Sequence, residues 1–454
     1  METVPPPPSL SAPVHPGLPV VGNTFEYLRG PLAFFRRLQT QYGDRRAVQI
    51  NVGGRQTVLV LKPEETKYVL QENNRNYGRG KSFAVLREFL GNGLLTSEGD
   101  FWRRQRRLAQ PAFHREKLAR LTDVMLEEAV AWTDRVRRRD RSRPIDMLAA
   151  TTDATLRIVT RALFGSGLGE QLDDLSKALT ALNHVANNAI IVPIRFPRWV
   201  PTPDNRAFRR AIRQVDTLIF SIIEARRRSG EQRDDLLDML LNAQDEETGE
   251  RMSDAQLRDE MVTLFTAGHE TTATSMAWTL HLLAGHPDVR QTVQAELASV
   301  LSGRPRPTPE QLRQLPYLSQ VVQESMRLYP PAWVMSRLAL GPDRVGDYRI
   351  PADSGVLLSP YVLHHDPANW PDPDRFDPDR FRPELVKTRH PYAYLPFGGG
   401  PRLCIGNQFA LMEMQALLAV FLSAFTPETT GDPVRPQPLI TLRPGKAVRL
   451  YLRS

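Results

Sequence analysis

Cys404 ends the run Phe397-Gly-Gly-Gly-Pro-Arg-Leu-Cys404 and precedes a segment with helical periodicity. Backbone N–H groups at a helix start, the helix dipole and Arg402 two residues away all stabilise an anion, so the sulfur is expected to be a thiolate. Three consecutive glycines let backbone pass close to a flat, bulky partner. A lone cysteine is more often a small buried hydrophobe; the setting argues otherwise. A second group, Ala267-Gly-His-Glu-Thr-Thr272, sits in the middle of an apolar helical pattern. The glycine alone costs a helix about 1 kcal/mol, and burying Glu270 without a partner costs more. Functional sites are where such local violations are expected. Glu324 and Arg327, three apart, share one helix face. The ordinary reading of that pair is a surface salt bridge worth about 0–1 kcal/mol.

These groups need elements to hold them. Ser253 and Gln256 stand at capping-box spacing, and the pattern runs through Leu257, Met261, Phe265, Met276 and Leu283 to Gly285-His-Pro287. It predicts a helix of about 30 residues and about 45 Å, long enough to cross the molecule. A helix over 318–328 carries Glu324 and Arg327. Ala47–Leu61 reads as a hairpin about Gly53–Gly54, and most of 63–314 has helical period. Residues 1–19, with seven prolines, form an extended lead-in. The Pro-dense stretch 360–401 is irregular, as functional regions often are. The apolar loop 189–204 fits buried packing or a greasy lid equally well. His269 is expected at the surface or a cavity wall. His364 and His365 fit structural packing or a cofactor contact.

Apolar and charged fractions of 41% and 24% are ordinary globular values, which excludes whole-chain disorder, collagen and coiled coil. Basic residues number 59 against 51 acidic, a net charge of +8. Only 7 of the 59 are lysine, so the excess reflects an arginine bias, and no nucleic-acid-binding motif accompanies it. With Cys404 the single cysteine of 454 residues, an intrachain disulfide, a Cys-rich zinc site and an iron–sulfur cluster are excluded. No apolar run approaches the roughly 20 residues of a membrane span, and Met1–Pro8 lacks the marks of a secretion signal. A cytoplasmic monomer without a membrane anchor is expected.

Phe397-Gly-x-Gly-x-Arg-x-Cys404-x-Gly406 resembles the haem-ligand loop of the cytochrome P450 superfamily. Further motifs follow the family's order and spacing. Glu324-x-x-Arg327 resembles its Glu-x-x-Arg helix, and Phe376-Asp-Pro-Asp-Arg380-Phe381 the segment whose arginine completes a Glu–Arg–Arg cluster. Ala267-Gly-x-Glu-Thr-Thr272 resembles its oxygen-activating kink, and Trp102-x-x-x-Arg106 the helix holding a haem propionate. The resemblance covers nearly the whole chain.

The resemblance implies a mainly α fold with small β-sheets, a large helical lobe plus a small β-rich lobe, with 20–454 as one domain. It implies a haem-thiolate monooxygenase that inserts one oxygen atom of O2 into a hydrophobic substrate such as a fatty acid, terpenoid or steroid. Haem b would be the cofactor. Electrons would come from NAD(P)H through a separate ferredoxin or flavodoxin with its reductase, since no such domain follows Cys404. Cys404 would be the axial ligand, with Phe397 beside the sulfur and Gly398, Gly406 and Ala267 along the haem. Arg402, Trp102, Arg106 and Arg337 would neutralise the propionates. Thr271 would hold a water delivering protons to dioxygen, Glu270 would relay protons from solvent, and Ala267 and Gly268 would let the helix open. Glu324, Arg327 and Arg380 would form a structural cluster. Phe83, Leu86, Phe89, Ala267, Thr271, Trp333 and Val334 would line the substrate pocket, with 183–200 and the turn near Ile440. The rival readings are a peroxide-driven peroxygenase, a haem-based ligand-binding protein and an Arg-rich nucleic-acid binder.

Overall fold

The computed structural model describes residues 11–80, 83–165, 174–175, 177–179, 182 and 199–453. The loop expected over 189–204 lies outside them up to residue 198. The chain divides into two compact units: Met1–Phe83, Ala332–Arg375 and Glu384–Cys404 form the first, and Ala84–Pro331, Phe376–Pro383 and Ile405–Ser454 the second.

The first unit is built on a five-stranded sheet. The expected hairpin forms its edge, Ala47–Val52 pairing antiparallel with Arg55–Val60. Gly355–Leu358 then adds parallel to Arg55–Val60, followed by Met335–Ala339 and Tyr77–Arg79, both antiparallel. Val58, Val60, Val356, Leu358 and Ala339 are buried with Val69, Leu70 and Leu395 in one core. Along Met335–Ala339 the inward positions are Arg337 and Ala339. Strand alternation therefore turns a guanidinium to the face where an apolar side chain is the rule.

The second unit is helical. The Asp254–Gly285 helix, 32 residues long, starts with the expected capping box of Ser253 and Gln256. Its long buried stretch packs on Met147–Phe164, where Thr151 Oγ1 donates to the Ala273 carbonyl at 3.0 Å and Thr155 Oγ1 to the His269 carbonyl at 3.1 Å. Thr151 Oγ1 also reaches the Met147 carbonyl of its own helix at 2.8 Å, so these buried hydroxyls have carbonyl partners, as buried polar groups must. The Pro316–Leu328 helix and the Asn407–Ala424 helix also pack on the central helix. No helix among the described residues is long and apolar enough to cross a membrane.

Candidate active site

In the first unit the cysteine loop is closed by its own backbone. Cys404 N–H donates to the Phe397 carbonyl at 3.0 Å, Leu403 N–H to Gly400 at 3.0 Å and Gly398 N–H to Leu395 at 3.1 Å. Gly400 lies at φ +65°, and a Cβ there would strike the Leu70 carbonyl, so no other residue fits the turn. The Cys404 side chain is exposed, Phe397 and Arg402 half-buried. The following helix begins at Asn407, three residues past Cys404. His364 is fully buried and its Nε2 accepts the Leu395 N–H at 2.8 Å, while His365 Nδ1 meets the Tyr361 carbonyl at 2.8 Å. His364 thus ties its short helix to the residue that leads into the loop.

Arg337 is the outlier of this unit. It is 6% exposed, its Nη1 donates to the Ser336 carbonyl at 3.0 Å, and among the described residues no carboxylate pairs with it. Burial alone pulls its guanidinium down to about 10, so it stays charged at neutral pH and lacks a counter-charge.

In the second unit the central helix runs α-helical through 267–272 without a break. Thr271 Oγ1 donates to the Ala267 carbonyl at 2.8 Å and Thr272 Oγ1 to Gly268 at 3.0 Å. The glycine has a packing reason: a Cβ at 268 would stand 2.8 Å from Val159 Cγ2. Gly268 thus allows close helix approach, where an opened helix was expected. Ala267 is exposed and Thr271 half-buried. His269, expected at the surface or a cavity wall, is 7% exposed with Nδ1 at 3.0 Å from the Phe265 carbonyl. Burial lowers its pKa and keeps it neutral. Glu270 Oε1 accepts from Thr441 Oγ1 at 2.9 Å, a partner 171 residues away that spacing could not reveal. Glu413, also missed, is fully buried on the Asn407–Ala424 helix. Among the described residues neither of its oxygens has a hydrogen bond of good geometry, and burial pushes its pKa well up, with the nearby Thr272 hydroxyl opposing the shift.

Glu324 and Arg327 are both 0% exposed, with Arg327 Nε and Nη2 gripping the two carboxylate oxygens at 2.6 and 2.7 Å. Arg380 Nε stands 3.5 Å from Glu324 Oε1, and the Asp377 N–H donates to the same oxygen at 3.0 Å. The surface-pair reading fails, and the three-residue cluster forms. Burial pushes the Glu324 carboxyl up, and the Arg327 fork, the Asp377 N–H and Arg380 work against that shift.

The family model for Cytochrome P450 matches residues 12–449. The chain belongs to the cytochrome P450 family. It is 37% identical over 437 residues to cyclooctatin synthase of Streptomyces melanosporofaciens, covering 94% of this chain and 93% of that one. The cyclooctat-9-en-7-ol 5-monooxygenase of the same organism is 35% identical over 94% of this chain and 90% of its own. Pentalenene oxygenase of Streptomyces avermitilis is 33% identical over 96% of both. The crystal structure of the cytochrome P450DA haem domain superposes with a TM-score of 0.89 at 29% identity, covering 98% of each chain. This P450 is therefore a monooxygenase of mainly α fold, and its family works with haem iron and O2.

The residues present fit a haem. A buried guanidinium without a counter-charge suits an anionic propionate, and a thiol exposed at the end of a rigid loop suits an iron. Trp102 and Arg106, both half-buried, stand one turn apart on the Gly99–Ala109 helix. A Cβ placed on Gly406 would meet Phe113 at 3.9 Å, an ordinary contact that leaves room beside its backbone. Among the expected wall residues, Leu86 and Val334 are half-buried, as is Phe83, under the Arg79 guanidinium. Phe89 and Trp333, expected on the wall, are core residues at 1% and 3% exposure, Trp333 packing on Phe35.

Proposed function

We propose that this P450 oxygenates a cyclic terpenoid hydrocarbon or alcohol in the cytoplasm, drawing electrons from NAD(P)H through a reductase and a ferredoxin or flavodoxin. The observation that carries the substrate class is the trio of relatives named for terpene oxidation, each aligned over nearly all of this chain. A net charge of +8 suits an acidic electron carrier. Bound haem would supply the iron at which O2 is reduced. Cys404 would give the thiolate ligand, with Phe397 beside it and Gly398, Gly406 and Ala267 along the ring. Arg337, Arg402, Trp102 and Arg106 would hold the propionates.

The rest of the chemistry falls to protein protons. Thr271 spends its one proton on the Ala267 carbonyl, so its oxygen remains an acceptor for a water. Glu270 would carry protons from solvent to that water. To swing inward it must release Thr441, which costs about 1.5–3 kcal/mol for a bond to a charged group. Thr441 thereby gates the relay. Thr271→Ala should leave folding, haem content and substrate affinity nearly intact while diverting reducing equivalents from product to hydrogen peroxide. Glu270→Gln should slow oxygen consumption itself. Product, peroxide and reductant are measured side by side. Coupling in Thr271→Ala equal to wild type would remove the threonine from the mechanism and favour a peroxide-driven enzyme.

Arg337→Met isolates the propionate role. The apoprotein should melt no lower than wild type, since an uncompensated buried cation is gone. Haem transfer to an acceptor protein should quicken about tenfold or more, one charge-assisted bond being worth about 1.5–3 kcal/mol. Unchanged haem loss would rule Arg337 out as a propionate partner.

A further inference from the structure

Three consecutive residues of the central helix, two turns before its Ala267–Thr272 motif, are tied to one stretch of chain. Arg258 Nη1 donates to the Phe89 carbonyl at 3.0 Å, Asp259 accepts the Asn92 N–H at 2.7 Å, and Glu260 Oε2 accepts the Leu94 N–H at 3.0 Å. Gly91, at φ +66°, sits so close that a Cβ would strike the Asp259 carboxylate. The anchored stretch leaves the Phe83–Leu90 helix, which carries Leu86, and presents the half-buried Leu95. Arg258 and Asp259 neutralise one another, and Arg258 also meets Asp216 at 2.6 Å. Glu260 has no such cover. It is 1% exposed, and among the described residues the Leu94 N–H is its one hydrogen-bond donor. A glutamine would accept that bond without an ionisable group, so packing does not explain the acid.

We propose that Glu260 is a positioning residue for the 91–96 stretch, which follows the helix carrying the expected wall residue Leu86, its carboxyl holding or releasing that stretch through Leu94 and so making the fit of a bulky substrate depend on pH. The inference rests on the monooxygenase reading above. Burial raises Glu260 to about 8, the Leu94 bond opposing and the Asp259 charge adding to the shift. The other charged groups nearby are committed elsewhere: Arg258 as above, Arg87 to the Thr96 carbonyl and Glu98, and Asp216 to Arg258. Below about pH 8 the neutral acid stays buried and keeps Leu94. Above it, a carboxylate in a dry site with one donor is better served by water, and the stretch loosens. Because the folded value lies above the unfolded one, this group's contribution to stability falls as pH climbs from the ordinary carboxylate range to about 8 and is level beyond.

The test uses the haem-loaded full chain and two probes that ligate haem iron: clotrimazole, bulky and apolar, and imidazole, too small to reach a pocket wall. Soret shifts give their Kd from about pH 6.5 to about 9.5, and hydrogen exchange follows residues 91–97. Wild-type affinity for clotrimazole should weaken about fivefold or more across pH 8, with faster exchange in 91–97 after correction for intrinsic rates. Imidazole affinity, referred to its neutral form because the probe itself titrates at about pH 7, should stay level. Glu260→Gln should bind clotrimazole tightly at every pH. Glu260→Asp, one methylene short of Leu94, should bind it weakly at every pH. A flat wild-type profile, or the same weakening in Glu260→Gln, would overturn the proposal. No Soret shift even with imidazole would overturn the haem reading itself, a separate and visible failure.

Discussion

Cys404→Ser should abolish both the thiolate spectrum and oxygenation while leaving the fold in place. A serine hydroxyl stays protonated at neutral pH and cannot push electron density to the iron as a thiolate does. No other cysteine exists in the 454 residues to take over. The loop does not depend on the sulfur, because its closure is made by the residue 404 N–H and the Phe397 carbonyl, which serine retains. An exposed side chain exchanged for a similar one changes stability by no more than about 0.5 kcal/mol. An apoprotein melting point equal to wild type, together with lost activity, would place the defect in chemistry and not in folding. Retained oxygenation would remove Cys404 from the iron.

Glu324→Ala should do the reverse and destroy the protein before chemistry is reached. The carboxylate binds Arg327 through two bonds, faces Arg380 and accepts the Asp377 N–H, all with no exposure of its own. Its loss strands the Arg327 guanidinium at 0% exposure. Breaking a buried pair from one side costs about 3–5 kcal/mol, against a total stability of about 5–15 kcal/mol. Soluble, haem-loaded yield should fall steeply, and Glu324→Gln, which keeps the shape but turns one acceptor oxygen into an NH2 donor and so keeps only part of the hydrogen bonding, should fall between. Normal yield and melting for Glu324→Ala would contradict the cluster's structural role.

Local signals were legible where short-range chemistry decides. The Ser253–Gln256 cap, the Ala47–Val60 hairpin and the cysteine loop depend on residues within a few positions of one another. Burial was not legible, because it depends on what arrives from far along the chain. The spacing of Glu324 and Arg327 is the same on a surface as in a core; segment 376–383 makes the difference by supplying Asp377 and Arg380. Gly268 has a packing neighbour the sequence did not show, since Val159 lies over a hundred residues earlier. Phe89 and Trp333 are large apolar residues by type, and their near-complete burial could not be read from type alone. Thr441 holds Glu270 from a loop with no motif of its own, and Glu413 looks like a surface acid until its helix is placed.

The central claim is a thiolate-ligated haem. Its most direct test is the absorption spectrum of the purified wild-type protein, reduced with dithionite and exposed to carbon monoxide. A Soret band strongly red-shifted from that of histidine-ligated CO-haem proteins is the result predicted for Cys404 on the iron. A band at the histidine-ligated position, or a colourless protein after haem supplementation, would contradict it.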